Sequence, residues 1–230
     1  MRDWLAFSAL SCCFLSLPAG AATLVEFSDG DSVQKVWIEG KRLRIESAGD
    51  PNAYSIFDLS SGRLYGLSRQ QHQIVEYDLS AADAGATEAA TRTTEIEFED
   101  HGHGPRLTGY KTRRYVLKGD GTVCGEFFLS QEALADAGME DALGSLRRIT
   151  AGAHGSGNGY DACDQAGAYV IGAYLKLGLP MRQLGADGKL VQEIVGIRQN
   201  APLPPGGTEL PGDYQRISMQ DYVRQVLQRQ

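Results

Sequence analysis

The stretch GYKTRRYVLKGDGTVCGEFFLS, Gly109 to Ser130, decides the fold. Two strand-forming runs flank Gly119-Asp120-Gly121, residues that accept positive φ, so the segment reads as a β-hairpin. Cys124 sits near the start of the second strand, and Ser130 at its end is a good helix N-cap. The residues that follow, QEALADAGMEDALGSLRRI, place Leu134, Ala137, Leu143 and Leu146 near one face of a helix.

Upstream, from Thr23 to Leu79, turn signals (SDGD, EGK, GDPN, SSG, SRQQ) separate short segments. Leu43 and Ile45 alternate with Arg42, Arg44 and Glu46, Phe57 and Leu59 flank Asp58, and Val75, Tyr77 and Leu79 alternate with Glu76 and Asp78. That period of two predicts an antiparallel meander with one packed face and one wet face. Ser80 to Thr94 is alanine-rich and polar, a short helix or a connection. Ile96 and Phe98 then alternate with Glu95, Glu97 and Glu99, an acidic row expected to face Lys111 and Arg113.

Downstream of a glycine-rich loop, TAGAHGSGNGYDA, the segment Asp161 to Leu177 carries Ala162, Ala166, Tyr169, Val170, Ala173, Tyr174 and Leu177 on a helical stripe. Gly178 and Pro180 stop it. A hairpin turning at Asp187-Gly188, a proline-rich run and a last helix follow, the last capped by Ser218 with Asp221 in the capping-box position. There is no internal repeat and no interdomain linker.

At the amino end, Arg2 precedes an apolar run of about 15 residues, Trp4 to Leu17, then Pro18 and Ala19-Gly20-Ala21. This predicts a cleaved signal peptide over 1–21, without lipidation, and a single domain over 22–230. The run is too short to span a membrane, and no later segment approaches that length, so no transmembrane segment is expected in the mature chain. A net charge of −7 argues against nucleic acid and anionic lipid surfaces. Cys12 and Cys13 leave with the signal. Cys124 and Cys163 remain, and in an oxidising compartment two thiols are expected to pair rather than stay free and buried.

Four stretches carry a family resemblance: VWIEGKRLRIES (36–47), GYKTRRYVL (109–117), CGEFFLS (124–130) and LPGDY (210–214). Together they resemble the bacterial lipoprotein-carrier (LolA/LolB-like) superfamily and, more closely, an uncharacterised exported family within it. The resemblance implies an α+β fold. A single curved antiparallel sheet, an open half-barrel, would have two helices across its concave face and a further C-terminal helix. It also implies an apolar concavity, for which Trp37, Phe57, Tyr65, Phe127, Tyr169 and Tyr174 are the candidate lining residues. The plainer reading of those six is an ordinary core. A Cys124–Cys163 bridge would pin the covering helix to the sheet.

Other chemistry is sparse. His101 and His103, beside Glu99 and Asp100, are the sharpest metal candidates, but two imidazoles need His72 or His154 to complete a set. A solvated turn explains them more simply. His154, Ser156 and Asp161 are triad residue types without a nucleophile elbow, and the glycines around them do not form a phosphate loop. No cofactor motif is present. The sequence reading is therefore a periplasmic, non-enzymatic binding protein. Its partner would be a hydrophobic or lipid-linked ligand, or a protein of the periplasm or envelope. A metal-sensing module and a small-molecule enzyme in the same concavity are the alternatives.

Overall fold

A computed structural model describes residues 22–47, 49–79, 95–153 and 162–228. The expected signal peptide (1–21), the alanine-rich run 80–94 and the loop with His154, Ser156 and Asp161 lie outside the described residues.

The strands are β1 (Ala22–Ser28), β2 (Val33–Glu39), β3 (Arg42–Ser47), β4 (Ala53–Asp58), β5 (Arg63–Ser68) and β6 (Gln73–Asp78), then β7 (Ile96–His103), β8 (Arg113–Gly119) and β9 (Thr122–Ser130). Three helices follow, α1 (Gln131–Ala137), α2 (Glu140–Ala153) and α3 (Ala162–Leu177). The chain closes with β10 (Leu179–Gly185), β11 (Leu190–Ala201), β12 (Gln215–Ser218) and α4 (Met219–Leu227). All twelve strands form one curved, unclosed sheet in the order β12-β6-β5-β4-β3-β2-β1-β11-β10-β9-β8-β7. Every neighbouring pair is antiparallel except β12 with β6.

The deciding hairpin forms as its sequence dictates. Asp120 and Gly121, at φ 49° and 75°, make the two-residue turn between β8 and β9. The Asp120 carboxylate accepts the Glu95 N–H at 2.9 Å, and the Asp120 N–H donates to the Glu95 carbonyl at 2.8 Å. The turn thereby fixes where the edge strand β7 begins. Within the acidic row Glu99 pairs with Lys118 at 2.6 Å, while the expected Arg113 bonds Asp100, outside that row, at 2.5 Å. Lys111 lies before β8, because the strand begins at Arg113.

The helix expected after Ser130 is two helices. Ser130 caps α1, its hydroxyl accepting the Ala133 N–H at 3.2 Å. Gly138, at φ 63°, then ends the helix in the left-handed conformation, so three helices rather than two follow the hairpin. α1 packs on β10, β11 and β1, while α3 packs on β8, β9 and β10 with α2 against it. Beneath them lies the main core. Val36, Ile38, Leu43 and Phe57 from the early strands join Leu117, Phe127, Leu134, Leu143, Val170 and Tyr174.

The opposite face of the early strands is not wet, contrary to the alternation. It holds two smaller clusters, one of Tyr54, Ile56, Tyr65, Leu67 and Ile74 and one of Ala22, Leu24, Trp37 and Ala201. The segment 202–214 straps across this face, seating Leu203, Leu210 and Tyr214 on the clusters. Arg44, expected in solvent, is fully buried beneath it. Its guanidinium donates to the Pro205 and Gly207 carbonyls at 2.9 and 2.6 Å and to Glu46 at 2.6 Å. A buried guanidinium needs such partners, and the strap supplies two of them.

Candidate functional site

The bridge between Cys124 and Cys163 is present, with Cα atoms 5.1 Å apart. It ties the first turn of α3 to β9. The fit there is close: a Cβ on Gly119 would lie 2.5 Å from the Ala162 carbonyl oxygen, so glycine lets the helix start meet the hairpin.

The six aromatic candidates do not converge. Phe57, Phe127 and Tyr174 are buried in the main core, with Phe127 and Tyr174 rings 6.1 Å apart. Burial pushes the Tyr174 hydroxyl well above the usual phenol range and keeps it neutral. Trp37 and Tyr65 are on the other face, under the strap. The buried indole N–H of Trp37 has no hydrogen-bond partner among the described residues. Tyr169 is 58% exposed on the outer side of α3.

His101 and His103 lie on β7, both exposed. His101 reaches Glu99 at 3.2 Å, but Glu99 also takes Lys118, whose hydrogen bond, with that of His101, holds its carboxyl below the usual range. His103 is opposite Arg113 in the ladder. Among the described residues no group of three or more His, Cys, Asp or Glu could hold a metal ion.

A further concavity sits elsewhere, on the open half of the helix-bearing face. The cross-strand row Val36, Ile45, Ser55, Gly66, Val75 runs through β2 to β6. The row beside it, Ile38, Leu43, Phe57, Leu64, Tyr77, is made of large side chains. Ser55 and Gly66 are small, so a trough of about 330 Å³ opens above them, walled by Ile45, Val75 and Tyr77. Its far wall includes Tyr222 of α4. Gln34, Ser68 and Gln73 form a neutral polar bank at one end.

Among the described lining residues Asp50 is the one carboxylate, and none is a His, Lys, Arg or Cys. α4 packs on β6 and β12 yet buries none of its own residues. Ser218 caps it, accepting the Asp221 N–H at 3.1 Å and donating to the Asp221 carboxylate at 2.8 Å.

The sequence reading missed the trough. It ranked aromatics, whereas the signal is the pair of small residues, Ser55 and Gly66, adjacent in the ladder. Their pairing was not legible before the strand register was known.

A second, smaller concavity of about 310 Å³ lies between α2, α3 and β7, with Phe98, Tyr169, Ala173 and Leu177 beside Arg147 and Lys176. Among the described residues no helix is long and apolar enough to cross a membrane.

No family model matches this chain, and no curated protein matches it. Among solved structures it is similar to MucB, with 13% identity over 86% of this chain and a TM-score of 0.39. It is also similar to the MucA/MucB complex of Pseudomonas aeruginosa, with 12% identity over 87% of this chain and a TM-score of 0.40. The chain spans about 60% of the length of these structures.

Proposed function

We propose that this protein is an exported, non-enzymatic binding protein that holds an extended segment of a protein partner in the trough between β3–β6 and α4. The observation that carries this reading is the Ser55–Gly66 floor, which leaves an open concavity where the neighbouring row of the same sheet is filled. One bank offers the neutral amides and hydroxyl of Gln34, Gln73 and Ser68, which can pair with a peptide backbone. The other offers Ile45, Val75, Tyr77 and Tyr222 for its apolar side chains. A bare acyl chain has no use for the polar bank, so a peptide segment suits the trough better than a lipid tail. The Cys124–Cys163 bridge supports an oxidising compartment such as the periplasm. Among the described residues the metal alternative gains no ligand set.

The test is selection of a random peptide library against the disulfide-intact protein, followed by affinity measurement with Gly66→Val. Gly66 has φ outside the left-handed region, and an added Cβ would meet only Tyr77 at 3.7 Å, so valine fills the trough without straining the strand. The reading predicts enriched peptides with apolar residues whose affinity falls at least about tenfold in the variant. Enrichment of no peptide, or binding unchanged by Gly66→Val, would overturn it.

A further inference from the structure

We infer, on the basis of the trough as the partner site, that the bound segment carries a lysine or arginine about six residues from its apolar anchor, the reach set by the strand spacing, and that this cation seats in an adjoining basin beyond Gln34. The basin, of about 280 Å³, lies where β1 meets the start of β11, and Gln34 lines both it and the trough. Gln34 pairs with Ser47 on one side and Phe27 on the other, so the polar bank of the trough continues across β2 onto β1. From Gly66 on β5 to Phe27 on β1 the path takes four steps between neighbouring strands. At about 4.8 Å a step this is about 19 Å, the length of about six extended residues.

The basin suits a side chain with an apolar stem and a cationic head. Phe27 is partly buried against the main core, which holds its ring in place, and Val191 beside it is 47% exposed. These two can pack the stem. Asp29 supplies the charge. One of its oxygens accepts the Ser32 and Asp31 N–H groups at 2.7 and 3.0 Å, and the other accepts the Ser32 hydroxyl at 3.0 Å. These donors, the Ser32 N–H above all, hold the carboxyl below its ordinary range. They are neutral, so they keep the group ionised without cancelling its charge, and the second oxygen retains a lone pair for a guest. Cations on the neighbouring turns are committed elsewhere. Lys189 pairs with Asp187 at 2.8 Å, and Arg69 with Glu46 on the opposite face at 2.7 Å. Asp50, whose carboxylate accepts the Asn52 N–H at 2.8 Å, adds a second negative charge at the trough end of the path. A basic segment is the complement of such a bank.

The experiment is selection of a random dodecapeptide library on the disulfide-intact protein, on Asp29→Asn and on Gly66→Val. Asparagine keeps the oxygen that accepts the two N–H groups and removes the charge, and residue 29 is exposed, so the turn persists. Wild type should enrich peptides with Lys or Arg about six residues from an apolar residue, a spacing that follows from the strand geometry. Asp29→Asn should enrich the apolar residue without the basic one, and Gly66→Val should enrich neither. For one enriched peptide, changing its basic residue to Gln should weaken binding about threefold, the scale of an exposed ion pair, and so should Asp29→Asn. Both changes together should cost no more than either alone. The effect should shrink as salt is raised. Apolar peptides enriched with no basic residue at a fixed spacing, the same basic position enriched on Asp29→Asn, or additive losses in the cycle would overturn the cation subsite and leave the trough standing. Enrichment of no peptide, or of the same peptides on Gly66→Val, would overturn the trough itself and the subsite with it.

Discussion

The Arg44 guanidinium lies 4.2 Å from the centroid of the Tyr54 ring, with both residues buried beneath the strap 202–214. Arg69 approaches the same ring at 4.5 Å, and both arginines donate to Glu46 Oε1. This cluster fastens the strap to the face opposite the helices, and the strap leads into β12. From there α4 reaches the helix-bearing side and places Tyr222 at the trough. The geometry of the proposed site thus depends on a buried charge on the other side of the sheet.

Arg44→Met removes the donor to two strap carbonyls while Arg69 still neutralises Glu46. The expected loss is about 3 kcal/mol, the low end for breaking a buried charged cluster. Urea denaturation measures it, and a midpoint equal to wild type would show that the strap is held by its apolar contacts alone.

Glu46 also gives stability an acid limb. Burial alone would raise its pKa, but the hydrogen bonds from Arg44 and Arg69 outweigh burial and hold it below its usual 4.5. A depressed folded pKa means that this contribution is complete above about pH 4.5 and is lost as pH falls through the lower folded value. Glu46→Gln should therefore flatten the decline in melting temperature on the acid side of pH 4.5 while lowering stability at pH 7.

Reduction of the Cys124–Cys163 bridge, which closes a loop with a sequence separation of 39, should cost about 4 kcal/mol by the loop-entropy relation. Thermal melts with and without dithiothreitol measure this, with Cys124→Ala/Cys163→Ala as the control that does not respond to reductant.

Two glycine substitutions should behave in opposite ways. Gly119→Ala places a methyl 2.5 Å from the Ala162 carbonyl oxygen and should destabilise by about 2 kcal/mol, because backbone must move. Gly66→Val meets one ring edge at ordinary contact distance and should melt within about 1 kcal/mol of wild type. Comparable losses in the two variants would mean that the trough floor is tighter than its geometry indicates.

Local signals in the sequence specify structure where they are self-contained. The hairpin at 109–130, the Ser130 and Ser218 caps and the Cys124–Cys163 pair each specify their structure within a few residues or by a simple pairing. The break at Gly138 was also written in the sequence, as a glycine inside a helical pattern, but the apolar stripe continues past it through Leu143 and Leu146 and conceals the stop. Long-range facts were not legible. Alternation around Arg44 is the same whether that face meets water or the strap, since the two lie more than 160 residues apart in sequence. Aromatic content cannot say which face a ring occupies either, so Trp37 and Tyr65 look no different from Phe57 in the sequence. One position along a strand reverses the face.

The most direct test of the partner-binding account is site-specific photocrosslinking in the native host, with benzoylphenylalanine placed at Ser55 on the trough floor and at exposed Glu209 on the strap. The account predicts a light-dependent protein adduct from Ser55 that disappears when Gly66→Val is added, and none from Glu209. An adduct from Glu209 with none from Ser55 would contradict it and move the partner to the opposite face.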